Sequence, residues 1–128
     1  KTQIQRFEQA KKSFDKPVII VTQEEAEENE KTKATKTATW TYYAENVRDF
    51  AFATSRKFIW DAQAVQIADK TPLAMSYYPK EGNPLWEDES TKAVVATLKT
   101  FSKYTVDYPY PVAISVHTAS IGMEYPMI

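Results

Sequence analysis

The sequence has no cysteine, one histidine and two glycines in 128 residues. The absence of cysteine excludes disulfides, thiolate zinc sites and cysteine nucleophiles, although it does not identify a cellular compartment. Because His117 is the only imidazole, a zinc site with two histidine ligands cannot be assembled from these residues alone. Gly82 and Gly122 lie far apart in the sequence, which excludes a glycine-rich phosphate-binding loop.

Long hydrophobic runs are also absent. No stretch approaches the ~20 consecutive apolar residues of a membrane-spanning helix, and the first five residues lack the apolar region of a secretory signal. Sixteen basic and seventeen acidic side chains give a net charge of -1, which provides no overall attraction to nucleic acid or to an anionic membrane. Since 43% of the residues are hydrophobic and 13% are aromatic, the sequence predicts a soluble chain with a packed core.

Residues 1–36 are predicted to form a helical and charged lead-in. Apolar residues recur every three or four positions, at Ile4, Phe7, Ala10 and Phe14, and this spacing predicts an amphipathic helix. The β-branched run at 18–21 predicts a short buried strand. Thr22 followed by Glu25 is a capping-box signal for a second short helix, which should end near Lys31.

Residues 37–79 change to a period of two, which is typical of antiparallel strands that place one face on a core. The pattern predicts strands in three runs, marked by Trp40, Tyr42 and Ala44, by Phe50 and Phe52, and by Val65 and Ile67. Residues 73–78 predict one more strand. No basic stripe accompanies the aromatic side chains, so they are interpreted as a sheet core rather than a stacking platform for bases or sugars.

Residues 80–84 combine glycine and proline and are predicted to be a linker between structural units. In residues 85–128 a helical period returns, and it predicts a long helix over 89–107 that the following prolines end. Residues 112–116 then predict a buried strand. The expected fold class is therefore α+β.

One acidic run and two single residues are candidates for chemistry. The acidic run Glu87-Asp88-Glu89 is interpreted as hydrated charge that complements a helix dipole rather than as a metal site. His117 follows a strand without a second ligand and is interpreted as a packing or surface residue. Glu124 lies beside Gly122 at an expected strand edge, where a carboxylate can pair with the α-amine of an extended peptide. The alternative for Glu124 is a surface glutamate in a turn.

The segment Gly122-Met123-Glu124-Tyr125-Pro126 resembles the Gly-x-Met-Glu-Asn motif of the aminopeptidase N-like (gluzincin) zinc metallopeptidases. Residues 44–53 resemble the last strands of that family's β-rich, saddle-like N-terminal domain. The helix predicted at 89–107, with the prolines behind it, resembles the opening of the family's thermolysin-like catalytic domain. The resemblance covers most of residues 37–128, and its specificity comes from the order of these pieces.

The resemblance implies that residues 37–79 end the N-terminal domain and that residues 85–128 begin an incomplete catalytic domain. In the family the glutamate of the motif binds the free amino group of a peptide substrate, and the adjoining backbone lines the cleft. The implied substrate-binding residues are Gly122, Met123, Glu124 and Tyr125. The zinc, which activates water and polarises the scissile carbonyl, belongs to the parent protein and is not expected in this chain.

Two departures from the family pattern affect the expected cleft. Ile121 stands where the family often has glycine, and Tyr125 replaces the usual asparagine, so the local shape and substrate range are expected to differ. The His-Glu-x-x-His motif would lie after Ile128, and both termini are expected to be cut ends. The chain alone is therefore expected to be inactive and to self-associate through apolar surface meant for the missing part.

The expected function is that of a fragment of a zinc-dependent aminopeptidase, a hydrolase that removes amino-terminal residues from peptides. Two alternatives remain open from the sequence. The first is a non-catalytic domain that binds a peptide or protein on an aminopeptidase-like framework. The second is a structural β-rich module in which the Gly-Met-Glu sequence is coincidental.

Overall fold

A computed structural model of the chain describes residues 1–119, which form three helices and four strands. A 3-10 turn at Lys80–Gly82 and a π-helical turn at Trp86–Ser90 precede the third helix. The fold is α+β, as the sequence predicts. In chain order the helices and strands are α1 (Thr2–Ala10), β1 (Val18–Val21), α2 (Gln23–Glu30), β2 (Ile59–Ala64), β3 (Leu73–Tyr78), α3 (Thr91–Tyr104) and β4 (Val112–Val116).

The four strands form one sheet in the order β1-β2-β3-β4. The pairs β1/β2 and β2/β3 are antiparallel, whereas β3 and β4 are parallel. A parallel pair requires a crossover connection, and α3 supplies it between β3 and β4. Strands from both sides of the predicted linker at 80–84 therefore share this sheet.

Helices cover both faces of the sheet. On one face, Ala10 of α1 packs with Ile20, Ala62 and Ala64 in a buried cluster. On the other face, Val95 and Leu98 of α3 pack with Val65, Ile67 and Ala74. The central strands are consequently buried on both sides, since five of the six residues in β2 and five of the six in β3 are fully buried.

The predicted capping box at α2 is confirmed. Thr22 Oγ1 accepts a hydrogen bond from the backbone N–H of Glu25 at 3.2 Å, and Glu25 Oε2 accepts from the N–H of Thr22 at 3.0 Å. The Thr22 N–H bond, with the Arg6 guanidinium 2.7 Å away, lowers the pKa of Glu25. The Arg6 side chain also donates a hydrogen bond to Ile20 O. Arg6 of α1 therefore contacts both β1 and the first turn of α2.

The other local predictions in the described residues are largely correct. The first helix and the strands at 18–21, 73–78 and 112–116 all form. The burial predicted for the strands at 18–21 and 112–116 is wrong, because both lie at the edges of the described sheet: only Ile20 is buried in the first, and no residue is buried in the second. The helix predicted at 89–107 is present as the π-helical turn followed by α3, which ends at Tyr104. It ends three residues earlier than predicted, and Thr105 already departs from helical geometry (φ -129°, ψ -101°) four residues before the first of the two prolines.

The strands predicted from Trp40 to Ala44 and from Phe50 to Ala53 are wrong, since the structure has no strand between residues 31 and 58. Their aromatic side chains are exposed instead, with Trp40 at 78% and Phe52 at 75% exposure. Alternation identifies a face that could be covered, but a strand also needs a hydrogen-bonded neighbour. Within residues 1–119 the sheet is completed without this segment.

The strand predicted at Val65 and Ile67 is displaced. Strand β2 begins at Ile59 and ends at Ala64, and Ile67 makes only an isolated bridge with Lys70. Both predicted residues are nevertheless buried in the cluster under α3. The pattern thus identified core residues correctly and placed the strand several residues too late.

Thr22→Ala should lower the free energy of unfolding by about 1 kcal/mol, because the first-turn N–H of Glu25 loses its acceptor. Urea denaturation followed by far-UV circular dichroism measures this change. Thr37→Ala is a matched control, because Thr37 is exposed in a segment without regular structure. Equal stability of the two variants would contradict the role assigned to the cap.

Candidate functional site

The residues predicted to bind substrate, Gly122, Met123, Glu124 and Tyr125, lie outside the described residues. The described chain reaches Ala119, three positions after the end of β4. The structure therefore defines the sheet edge from which the motif continues. The candidate site comprises that edge, the groove beside it and a buried polar cluster behind the groove.

His117 extends the ladder between β3 and β4. Its backbone N–H donates to Tyr77 O at 2.8 Å, and its ring centroid lies 5.0 Å from that of Trp86 in an edge-on arrangement. These contacts agree with its interpretation as a packing residue. No group of three or more His, Cys, Asp or Glu side chains in residues 1–119 could hold a metal ion.

The acidic run Glu87-Asp88-Glu89 lies on the π-helical turn, and all three residues are exposed. Glu87 accepts a hydrogen bond from Asn83 Nδ2 at 3.0 Å, and Glu89 lies 3.7 Å from Lys92 Nζ. The carboxylates therefore do not converge on a common point. Their arrangement fits hydrated charge at the start of a helix.

Strand β4 is an edge strand within the described residues. Leu73 N–H donates to Pro111 O, and His117 N–H donates to Tyr77 O, so the odd-numbered residues of β4 direct their backbone groups toward β3. Because a strand alternates its backbone groups, those of Val112, Ile114 and Val116 point to the opposite edge. Tyr108 Oη donates to Val112 O at 2.9 Å. In residues 1–119 no hydrogen bond is made to the outward groups of Ile114 and Val116.

An open apolar groove of about 650 Å³ runs between α3 and β4. Its walls are formed by one face of α3, the π-helical turn, the chain after α3 and the middle of β4. Phe101 lines the groove with 62% of its surface exposed, and Ala113 and Ile114 form the wall on the sheet side. Ser90 is one of the few polar residues that line the groove. The groove therefore offers apolar surface next to a sheet edge.

A chain of buried polar side chains lies behind this groove, and the sequence patterns did not identify it. Asp61 of β2 is 1% exposed and accepts hydrogen bonds from Tyr78 Oη at 2.8 Å and from Thr91 Oγ1. Thr91 Oγ1 also lies 2.7 Å from Ser76 Oγ, which lies 2.8 Å from Ser90 Oγ. The one signal in the sequence was an aspartate within a run of small and apolar residues, because aspartate is rarely buried without partners.

The environment of Asp61 disfavours its charge. Burial raises the pKa of this carboxyl, although the hydrogen bonds from Thr91 and Tyr78 oppose the shift. The carboxylate of Glu87 adds a smaller effect in the raising direction. Burial and the nearby Asp61 also raise the pKa of the Tyr78 phenol, which keeps it a hydrogen-bond donor at neutral pH.

Comparisons of the chain with family models, with curated proteins and with solved structures found no match. Across residues 1–119 the helices are too short or too polar to cross a membrane. A function for the chain therefore has to be inferred from its own residues, from the geometry of the β4 edge and from the sequence resemblance.

Asp61→Asn should change how stability depends on pH. A raised folded-state pKa means that the contribution of Asp61 to stability is largest below about pH 3.9, the value for an exposed aspartate, and is lost as pH rises through the folded-state pKa. The wild type should therefore lose stability relative to Asp61→Asn as pH rises from about 3.9 to the folded-state pKa of Asp61. Urea denaturation at a series of pH values measures the difference.

Asp69→Asn is the control, because Asp69 is exposed and its variant should follow the wild-type curve. The pKa of Glu25 is lowered, so its effect on the pH dependence of stability has the opposite sign. Because Glu25 is present in all three proteins, the difference between the wild type and Asp61→Asn reports on Asp61. Curves for the wild type and Asp61→Asn that run parallel across the whole range would contradict the prediction.

Proposed function

We propose that this chain forms one wall of the peptide-binding cleft of a zinc-dependent aminopeptidase, an enzyme that hydrolyses amino-terminal residues from peptides. The observation that carries the proposal is the edge position of β4. The segment Gly122-Met123-Glu124-Tyr125, which resembles the amine-binding motif of such peptidases, begins six positions after this edge strand ends at Val116.

The outward backbone groups of β4 support an extended peptide as the ligand. A peptide in β conformation can add to a sheet edge through main-chain hydrogen bonds, while pockets beside the edge accept alternate side chains. Ile114 and Val116 offer the backbone groups, and the apolar groove lies on the α3 side of the same strand. A hydrophobic side chain of the peptide would fit this groove.

The proposed role of Glu124 is to select peptides with a free amino terminus. An unprotected α-amine has a pKa of about 7.7–8.0, so it is largely cationic at neutral pH. A carboxylate favours this cation over an uncharged internal amide and so directs cleavage to the chain end. Gly122 and Met123 would line the path of the peptide through their backbone, and Tyr125 would shape the adjoining surface.

The residues of this chain do not fit a zinc site by themselves. There is one histidine in the sequence, and residues 1–119 contain no group of side chains suited to a metal ion. The proposal therefore assigns the zinc to other residues of the parent protein. What this chain would contribute is binding and orientation of the substrate.

Glu124→Gln in the intact protein should lower kcat/KM for an aminoacyl-4-nitroanilide by about 10- to 100-fold. A hydrogen bond to a charged group contributes about 1.5–3 kcal/mol, and the amide keeps the shape of the side chain while removing its charge. Glu28→Gln is the matched control, because Glu28 lies on the exposed surface of α2.

Amino-terminal acetylation of the reporter should abolish the difference between the wild type and Glu124→Gln. Unchanged turnover of the free reporter by Glu124→Gln would remove Glu124 from its proposed role. A protein that binds peptides with free amino termini but hydrolyses none of them would favour the alternative, a non-catalytic peptide-binding domain.

The groove supports a second proposal, that the isolated chain self-associates through its apolar surface. Leu85, Phe101 and Val106 all line the groove, and each is more than half exposed. Phe101→Ser should therefore reduce the average mass that light scattering measures at high concentration. Ile4→Ser is the control, because Ile4 is similarly exposed but lies on α1. A monomeric wild-type chain would contradict the proposal.

A further inference from the structure

When Asp61 is ionised, the buried cluster has four hydroxyl hydrogens, on Tyr78, Thr91, Ser76 and Ser90, for four contacts. Thr91 Oγ1 carries one hydrogen, yet it lies within hydrogen-bond distance of both Asp61 Oδ1 and Ser76 Oγ. Ser76 Oγ likewise carries one hydrogen and contacts both Thr91 Oγ1 and Ser90 Oγ. Each hydroxyl can donate in one direction and accept from the other. The donors in the chain must therefore all point the same way.

Two orders satisfy every contact, and the protonation state of Asp61 selects between them. When Asp61 is ionised, Thr91 donates to the carboxylate, Ser76 donates to Thr91, and Ser90 donates to Ser76. When Asp61 is protonated, its own O–H donates to Thr91, Thr91 donates to Ser76, and Ser76 donates to Ser90. Tyr78 donates to the other carboxyl oxygen, Oδ2, in both states.

We infer that Ser90, Ser76 and Thr91 form a proton relay between the apolar groove and the buried Asp61 carboxyl, and that all their hydrogen bonds reverse together when Asp61 changes protonation state. In the protonating direction, a hydronium ion in the groove gives one proton to Ser90 Oγ. Ser90 passes its own proton to Ser76, Ser76 passes its proton to Thr91, and Thr91 passes its proton to Asp61 Oδ1. One proton moves from solvent to the carboxylate, and each hydroxyl keeps one hydrogen.

Burial makes this path the natural route to Asp61. Asp61, Thr91 and Ser76 are at most 2% exposed, whereas Ser90 is half-buried and lines the groove. The ionisable groups that act on Asp61 are Tyr78 on β3 and Glu87 on the π-helical turn. Asp88 acts on Tyr78 from the same turn. Ser90 hydrogen-bonds to Ser76 and also lines the groove, whereas Asp61, Ser76 and Thr91 are not among the lining residues, so Ser90 connects the cluster to the groove.

The relay would change what the groove offers to a ligand. With Asp61 ionised, the Ser90 proton points inward to Ser76, and the Ser90 oxygen presents only acceptor lone pairs to the groove. With Asp61 protonated, Ser90 accepts from Ser76, and its own proton becomes available as a donor. The groove wall therefore switches between a hydrogen-bond acceptor and a donor at one position. This inference does not depend on the proposed peptidase function.

Nuclear magnetic resonance with carbon-13 at the aspartate carboxyl groups tests the relay in the full chain. The titration of Asp61 is identified as the signal that is missing from Asp61→Asn. Thr91→Val should shift the Asp61 midpoint to higher pH, because the ionised carboxylate loses a donor. Thr91→Ser keeps the hydroxyl and should leave the midpoint near that of the wild type.

Ser76→Ala should shift the Asp61 midpoint in the opposite direction, to lower pH. Without Ser76 Oγ, the Thr91 hydroxyl has no acceptor for its buried proton when Asp61 is protonated. When Asp61 is ionised, the same substitution removes only a hydrogen bond that Thr91 accepts. Ser90→Ala should also shift the midpoint to lower pH, but less, because water in the groove can replace the Ser90 oxygen. Shifts of Thr91→Val and Ser76→Ala in the same direction would overturn the relay.

Amide spectra establish whether each variant is folded. Ser90 is the least buried hydroxyl of the cluster, so Ser90→Ala provides a test even where a substitution at Thr91 or Ser76 disrupts the core. A Ser90→Ala midpoint equal to that of the wild type, or shifted to higher pH, would also overturn the relay.

Discussion

The antiparallel pairing of β2 with β3 is the constraint on which the rest of the described structure depends. Its register runs without a break from Ile59 opposite Tyr78 to Ala64 opposite Leu73. Strand β1 joins one side of this pair, β4 joins the other, and the helices pack on its two faces. The same register places Asp61 directly opposite Ser76, so the pairing also assembles the buried polar cluster.

The elements that the sequence predicted well are specified by neighbouring residues. The capping box needs Thr22 and Glu25, three positions apart, and the amphipathic period of α3 repeats within its own length. Strand β2 escaped prediction although Trp60, Ala62 and Ala64 alternate with Asp61 and Gln63. Two of its apolar positions are alanine, which gives a weak signal, and the polar positions are buried rather than exposed. The segment around Trp40 showed the alternation but has no neighbouring strand in the described structure.

The features of the candidate site likewise differ in whether neighbouring or distant residues specify them. The edge position of β4 depends on which strand it pairs with, and a parallel pairing across α3 cannot be inferred from the period of β4 itself. The polar cluster was beyond local patterns, since Asp61 meets Tyr78 and Thr91 from 17 and 30 residues away in the chain. The proposed amine-binding residues were suggested by a short motif, which needs no tertiary information.

The hydrogen bond from Tyr108 to Val112 O has a consequence for any strand that adds to β4. It uses one lone pair of the first outward carbonyl of the strand, whereas no hydrogen bond within residues 1–119 is made to the outward groups of Ile114. A strand that adds to β4 would therefore compete with the Tyr108 hydroxyl at Val112 but not at Ile114. The Tyr108 phenol would thus favour alignments in which pairing begins at Ile114, so a single side chain beside the edge would influence how an incoming backbone is placed.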